Sequence, residues 1–566
     1  MGIKHFASWF NTNFNEFVTP FAKTNCPLIK IDTFLIDLNG LFHMSAQKVF
    51  KYGNFAPPVS LLRKVTAAQP LDKLILDCYK DITSTIDSLV IITRPTKTLV
   101  LAIDGVAPMA KQQQQRQRRY KSAVENSTTH NAFDPTCIST GTKFMDGLSK
   151  HISTHIEKKI SAGEWTFGVV FTSEKCPGEG EHKLMSYVRA HGSATDTFCL
   201  NALDADLFML SLGSMKDNFY LLREELYNPS VDYMYVDIGR TRKKLIAEYT
   251  QDKDCNKDCN KDCNKDCNKE FINDFINDFI NDFILVCFLC GNDFLPNIPS
   301  VNICEQGLSK LLEIYKAFGT QIVVGGKISM PVFLDFLALI ALEEEKMFAR
   351  KITHSSQYMP DSLVKTPFVF SEYREAYNKK YFGDDLQDAS ATYIEGCQWI
   401  LDYYLGGTTD WEWSYKYNYA PFVADILSSI GESLPNYVCF ESAPITPLAQ
   451  LMCILPPTSF NLLPKPLNTF YVSYPEYYPS VDKVKINYEG KKYKWEGVIN
   501  LPPINFDAIR GGVNEVIKKV AKKDIGRNAV ERPILYEKET QGTSYILNRD
   551  GSISLGNGVG KTPIQF

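Results

Sequence analysis

An α/β architecture with buried parallel strands follows from three features of this chain. Two short apolar runs, Thr33 to Asp37 and Thr98 to Asp104, each end in an aspartate with Asn39 or Gly105 close behind. Runs of this length and composition read as strands covered on both faces, and the carboxyl ends of such strands are where open α/β sheets place ligands. The stretches 167–172 and 197–200 repeat the pattern, and 183–189 continues a helix after Glu179 and Glu181. At 566 residues and 64.1 kDa the chain exceeds one ordinary core. A second region after about Lys365 is rich in Trp399, Tyr403, Tyr404, Trp411, Trp413, Tyr415, Tyr417 and Tyr419.

Composition narrows the class. Hydrophobic content of 44% with 22% charged residues is ordinary for a globular protein. The net charge of −4 means that any nucleic-acid contact must come from local basic patches. No apolar stretch reaches the roughly 18–20 residues needed to span a bilayer, so no membrane partner is expected. Met1 to Phe6 lacks a secretory core, and Phe6 breaks the myristoylation pattern. Fifteen cysteines, none paired as a zinc site with a matching second half, fit a reduced compartment, and a cytoplasmic location is expected.

From Asp252 to Ile280 the chain turns into tandem repeats, Lys-Asp-Cys-Asn four times and then Phe-Ile-Asn-Asp three times. A period of four with so little variety matches no solenoid. Repeat expansion into a flexible or helical surface loop is the plain reading of the four cysteines, since the last copy runs straight into the apolar Leu285 to Leu289 that leads to Asp293.

The chemistry lies in acidic side chains. Glu179-Gly180-Glu181 and Asp204-Ala205-Asp206 are doublets, Asp293 closes Cys290-Gly-Asn-Asp293, and Asp37 and Asp104 end the two strands. In an extended segment residues i and i+2 face the same way, so each doublet would aim both carboxylates at one point. Carboxylates set so closely repel and call for a hard cation such as Mg²⁺. A pair of such ions about 3.5–4 Å apart suits phosphodiester cleavage. A lone aspartate after a strand is more often a cap or turn residue; five such sites together point to a metal-dependent nuclease.

A basic face adds detail. On a helix over 107–122, Lys111, Gln115, Arg118, Arg119 and Ser122 share one side. Most charged runs are solvated faces, but this one directly follows Asp104, and Arg forks match phosphate oxygens. A terminal-phosphate pocket is expected. His43 lies six residues past Asp37 and reads by default as a packed or surface histidine, with a place at the mouth of the same site as the minority reading. Trp411 and Trp413 read by default as packing, with stacking on a base as the minority reading.

These segments resemble the Xrn-type 5′→3′ exoribonucleases. The resemblance is carried by Asp104 to Tyr120, Ile138 to Met145, Pro177-Gly-Glu-Gly-Glu-His-Lys183, Leu203-Asp-Ala-Asp-Leu207, Gly291-Asn-Asp-Phe-Leu-Pro296, Gly396 to Leu401, Trp411 to Pro421 and Pro447 to Pro457, all in family order. It implies a PIN-like, flap-nuclease-type mixed sheet flanked by helices, with a second, mainly helical conserved region that closes one side of the site. The implied division is a nuclease domain over 1–320 with the low-complexity insertion at 251–282, a linker over 321–365, the second region over 366–525 and a loosely held tail over 526–566. It implies Mg²⁺ or Mn²⁺, as two ions, on Asp37, Asp104, Glu179, Glu181, Asp204, Asp206 and Asp293. Lys111, Gln115, Arg118 and Arg119 match the pocket for a 5′-monophosphate. His43 matches a base-stacking residue, with Trp413 favoured over Trp411 as its partner. The implied activity is processive degradation of 5′-monophosphorylated single-stranded RNA by a monomer, by two-metal-ion hydrolysis that releases nucleoside 5′-monophosphates, in RNA turnover. A structure-specific DNA flap endonuclease and a non-catalytic RNA-binding decay scaffold are the rivals. The repeats, a shorter segment after Tyr120 and an early end after the second region depart from the family. The Asn, Lys, Ile, Phe and Tyr bias points to an AT-rich source such as a large DNA virus or a protist.

Overall fold

The computed structural model describes residues 2–566 apart from 56–68, 126–132, 202–203, 226–227, 229, 250–264, 409, 431–439, 539–544, 548–552 and 556–557. Its centre is a mixed sheet. Strands β1 (Val18–Phe21), β2 (Thr33–Asp37), β3 (Thr98–Ala102), β4 (Gly168–Thr172), β5 (Phe198–Asn201), β6 (Phe219–Glu224) and β7 (Tyr233–Asp237) run in the order β1-β7-β6-β5-β2-β3-β4. The neighbours from β6 to β4 are parallel, while β7 and β1 are antiparallel additions at one edge.

The apolar runs form buried strands because both faces are covered. Phe34, Leu35 and Ile36 are each 0% exposed, and successive residues enter two different cores on opposite sides of the sheet. Leu35, Val100 and Leu200 fill one, and Phe34, Ile36, Leu99 and Leu101 the other. Register then brings the strand ends level. Asp37 pairs with Ala102, and Ile36 with Asn201. The two aspartates therefore leave the sheet at neighbouring points on one edge.

Seven helices matter for the site: α1 (Leu38–Phe50), α2 (Met109–Glu125), α3 (Gly180–His191), α4 (Asp206–Gly213), α5 (Lys265–Phe288), α6 (Met330–Thr353) and α7 (Leu386–Leu405). The second region is mainly helical and aromatic-rich, as expected, and α7 buries Trp399, Tyr403 and Tyr404 against the first core. The short helix Pro447–Ile454, all eight residues buried, packs on α2.

Three expected boundaries are corrected. The supposed linker 321–365 contains the whole of α6, whose Phe333, Phe336, Leu337 and Ile340 are buried. The supposed loose tail over 526–566 supplies two strands to the sheet, Ile534–Lys538 antiparallel to β4 and Val559–Pro563 antiparallel to that strand. Its alternating Ile534, Tyr536 and Lys538 were masked by the surrounding Gly, Ser and Asn. The insertion 251–282 ends as a helix, one of the two forms expected of it, but not at the surface. In its last repeat Phe279 and Ile280 are buried on α5, and Asp282 accepts hydrogen bonds from the Tyr315 hydroxyl (2.6 Å) and the backbone amides of Ile322 and Val323 (3.0 and 2.6 Å). The Lys-Asp-Cys-Asn copies over 253–264 lie outside the described residues.

Candidate active site

A cavity of about 340 Å³, the size of a small-ligand pocket, opens at the carboxyl ends of β2, β3 and β5. Its lining includes all seven predicted acids together with Lys111, Gln115, Arg118, Arg119, Ser122 and His43.

The acids arrive by two routes. Asp37 and Asp104 stand at or just past strand ends, Asp37 also capping α1 through the amide of Asn39 (3.3 Å). The doublets are not extended, as the i, i+2 argument assumed. Glu179 is the residue before α3 with Glu181 in its first turn, and Asp206 begins α4 with Asp204 two residues ahead. Their convergence comes from helix N-termini pointing at the strand ends, where the helix dipole favours negative charge. Gly180 makes the approach possible. Its amide donates to Asp104 Oδ1 (2.6 Å), and a Cβ there would lie 2.6 Å from Asp37 Oδ1.

Crowded carboxylates raise one another's proton affinity. Burial, then Asp104, Asp204 and Glu179, push Asp37 up to about 8. Burial, then Asp293 and Asp204, push Asp206 up to about 7, and its Oδ1 is buried without a hydrogen-bond partner. Burial is also the first cause that lifts Glu179 and Glu181. Asp293 differs: against the cost of burial, Lys111 holds its carboxyl below the ordinary range.

Lys111 departs from the expected face. Its ammonium forms ion pairs with Glu179 and with Asp293 (2.9 Å), so it turns into the acidic wall. Those carboxylates and Glu181 keep it protonated although burial alone would strip its proton. The other members of the face line the same cavity. Arg119 donates to Ser139 Oγ (2.6 Å), its Nε is buried without a partner, and burial beside Arg118 lowers its pKa to about 9. The Gln115 side-chain oxygen is likewise unpartnered. His43 keeps solvent access at the rim, yet crowding by the surrounding protein, with Arg118 and Arg119, pushes it down to about 4. Its ring is neutral at physiological pH.

Among the described residues no three carboxylate, histidine or cysteine side chains already converge at metal-ligand distances. The donor set still suits a divalent cation. It consists of hard oxygens only, several hold protons they would surrender to a cation, and Asp206 Oδ1 lacks any partner.

Neither tryptophan is brought to the cavity. Trp413 closes over Gly396 and stacks at 4.8 Å on Trp399, which stacks at 5.1 Å on Tyr403. Trp411 lies in a separate small recess with Met109, Gln112 and Arg510. The expected pairing of Trp413 or Trp411 with His43 is therefore not supported: aromatic packing behind the acids holds Trp413.

That packing does position the site. Tyr403, fully buried, donates to Glu179 Oε1 (2.6 Å), and His182 stacks on the same ring at 3.7 Å. Gln450 lines the cavity and accepts from the amide of Ala107 (2.8 Å), and Asn39 accepts from the amide of Asp104 (3.3 Å). Sequence reasoning missed these residues and also Asn201, 2% exposed, with both side-chain polar atoms unpartnered in the cavity wall. Its signal was available: a polar residue ends the run 197–201 as Asp37 and Asp104 end theirs.

A family model described as the XRN 5′-3′ exonuclease N-terminus matches residues 1–225, and one described as the Xrn1 helical domain matches 274–380 and 370–552. The human protein named 5′-3′ exoribonuclease 1 is 27% identical over 96% of this chain and 36% of its own length. The chicken 5′-3′ exoribonuclease 2 is 25% identical over 91% of this chain and 68% of its own length. The fission yeast 5′-3′ exoribonuclease 1 is 24% identical over 96% and 51%. The chain thus spans about a third to two thirds of the length of these relatives.

Proposed function

Because the chain belongs to the Xrn family, we propose that it is a 5′→3′ exoribonuclease that removes nucleoside 5′-monophosphates, processively, from single-stranded RNA bearing a 5′-monophosphate. The observation that carries this reading is the presence of two chemically opposite walls in one small cavity. Seven carboxylates face an Arg–Gln face on a single helix. An endonuclease needs only the first wall; a reader of strand ends needs both.

Asp37, Asp104, Glu179, Glu181, Asp204, Asp206 and Asp293 would hold two divalent cations, Mg²⁺ or Mn²⁺. When bound, these supply a nucleophilic water at neutral pH and charge stabilisation for both oxygens of the displacement. Gln115, Arg118 and Arg119 hold the terminal phosphate through charge-assisted hydrogen bonds, with Lys111 between the two walls. A cap or triphosphate brings bulk and charge that a pocket of this size rejects. The neutral His43 ring offers a face to the first base. Tyr403 orients Glu179, and Gln450 and Asn39 fix the backbone that carries Asp104 and α2.

The test compares one RNA with 5′-monophosphate, 5′-hydroxyl, 5′-triphosphate and capped ends, alongside a DNA flap, in Mg²⁺. Fastest loss of the monophosphate form, with mononucleotide products, is expected. Equal rates on all ends, or preference for the flap, would overturn the reading.

A further inference from the structure

Outside the cavity, the segment Gly490 to Glu496 presents an aromatic and basic surface that the catalytic reading does not use. Trp495 is 50% exposed and Tyr493 40%. Their rings are nearly parallel, 11° apart with centroids at 5.7 Å. His5 packs against both, at 5.5 and 5.4 Å. Lys4 lies over the Trp495 ring at 5.6 Å and Lys494 is exposed between the two rings, while Lys491 and Lys492 turn away, over Tyr419 and Tyr358.

The patch is held rigidly. The Lys121 ammonium donates to the carbonyls of Lys494 (3.0 Å), Trp495 (2.8 Å) and Gly497 (3.0 Å). Glu496 accepts from the amides of Lys492 (2.9 Å) and Tyr493 (3.0 Å). Beside Cys304 and Glu496, the latter at 3.8 Å, His5 is pushed up to about 9, and its positive charge is balanced by the Glu496 carboxylate.

The patch also lies beside the cavity, by two independent tethers. Lys121 follows Arg118 and Arg119 on α2 and precedes the cavity-lining Ser122. Gly2 is packed so tightly on the Asp206 carboxylate that a Cβ would overlap it. His5 is three residues further on, so its Cα is within about 11 Å of Gly2 at full extension.

We propose that the Tyr493–Trp495 pair, with His5, Lys4 and Lys494, is a second binding surface for single-stranded nucleic acid, on which bases stack as the strand leads into the carboxylate cavity. The inference rests on the nuclease reading above and extends it to the path of the substrate. Rings accept any base and lysines neutralise the backbone, so the surface is sequence-tolerant and salt-sensitive.

The test uses the full chain in EDTA and measures binding of 5′-phosphorylated RNA by fluorescence anisotropy, with one strand of about twelve nucleotides and one of about two. Trp495→Ala is expected to weaken the longer strand about tenfold more than the shorter, Trp495→Phe to restore most of the loss, and added salt to shrink the difference between the two lengths. Ultraviolet crosslinking of the longer strand is expected at the 490–497 peptide. Both substitutions are at a half-exposed position, and thermal melts check that the fold is kept. Equal affinities of Trp495→Ala and the parent for the longer strand, with no crosslink, would overturn the proposal, and would leave a protein-binding role for the rings. Degradation of 5′-phosphorylated RNA by the parent chain is scored separately, so failure of the nuclease reading is seen as loss of that activity and failure of the platform is not.

Discussion

The basic wall of the cavity comes from one face of a single helix, whereas the acidic wall draws on five segments between Asp37 and Asp293. Gln115, Arg118, Arg119 and Ser122 are placed together by the α-helical repeat alone, while Lys111 turns into the acidic wall. The acids meet only if the strand register holds, if α3 and α4 start where they do, and if Gly180 admits a helix end between two aspartates. The two walls should therefore fail in different ways: the acidic one through small displacements anywhere in its scaffold, the basic one through loss of its own side chains.

The largest effect is expected for Asp206→Ala. Single-turnover degradation of 5′-phosphorylated RNA in Mg²⁺ should fall by more than about a hundredfold, beyond what outer-shell changes cause, while RNA binding in EDTA survives. Retained parental activity would remove Asp206 from the metal site. Gly180→Ala tests the scaffold without touching a carboxylate. Its methyl group must displace Asp37 or Asp104, so metal affinity, read from Mg²⁺ titrations of the rate, should drop by up to about a hundredfold with little change in melting temperature.

The basic wall is expected to give a change of selectivity. Arg119→Ala should reduce the preference for 5′-monophosphate over 5′-hydroxyl RNA by roughly tenfold or more, the worth of a hydrogen bond to a charged group, and leave the Mg²⁺ dependence in place. Tyr403→Phe removes only the hydroxyl that holds Glu179 and should weaken the Mg²⁺ response by about tenfold, at the lower end for an outer-shell partner.

The smallest effect is on stability. With Asp37 raised to about 8 and Asp206 to about 7, the metal-free fold keeps protons that the unfolded chain releases near pH 4. The contribution of these two groups is fully present below about pH 4 and is lost as pH rises through 7 to 8. Mg²⁺ competes with those protons, so the gain in melting temperature on adding Mg²⁺ should be larger at pH 8 than at pH 6. Equal gains at both values would mean that the raised carboxyls are not the ligands.

The same contrast explains what was legible in the chain. The strands leading to Asp37 and Asp104 and the α2 helix depend on local patterns, a run of apolar residues or a spacing of three and four, and the structure forms all three, with Lys111 alone turned off the expected face. Errors arose where long-range contacts decide. The tail after 526 is low in apolar content, yet Ile534 and Tyr536 find the open edge of β4. The 321–365 segment was read as a linker although Phe333, Phe336, Leu337 and Ile340 repeat at helical spacing on α6. Trp413 was offered to a base because its motif says nothing about Gly396, whose missing side chain lets the indole close onto Trp399.

The family, the seven acids and the basic face of α2 were thus present in residue order, since each is a matter of side-chain identity and spacing. Tertiary structure alone decided how they act together. It set the strand ends level, turned Lys111 into the acidic wall, put Tyr403 behind Glu179 and left Asn201 unpartnered in the lining. These depend on distances between segments tens to hundreds of residues apart, and such distances are fixed by packing of the whole core, which no local pattern encodes.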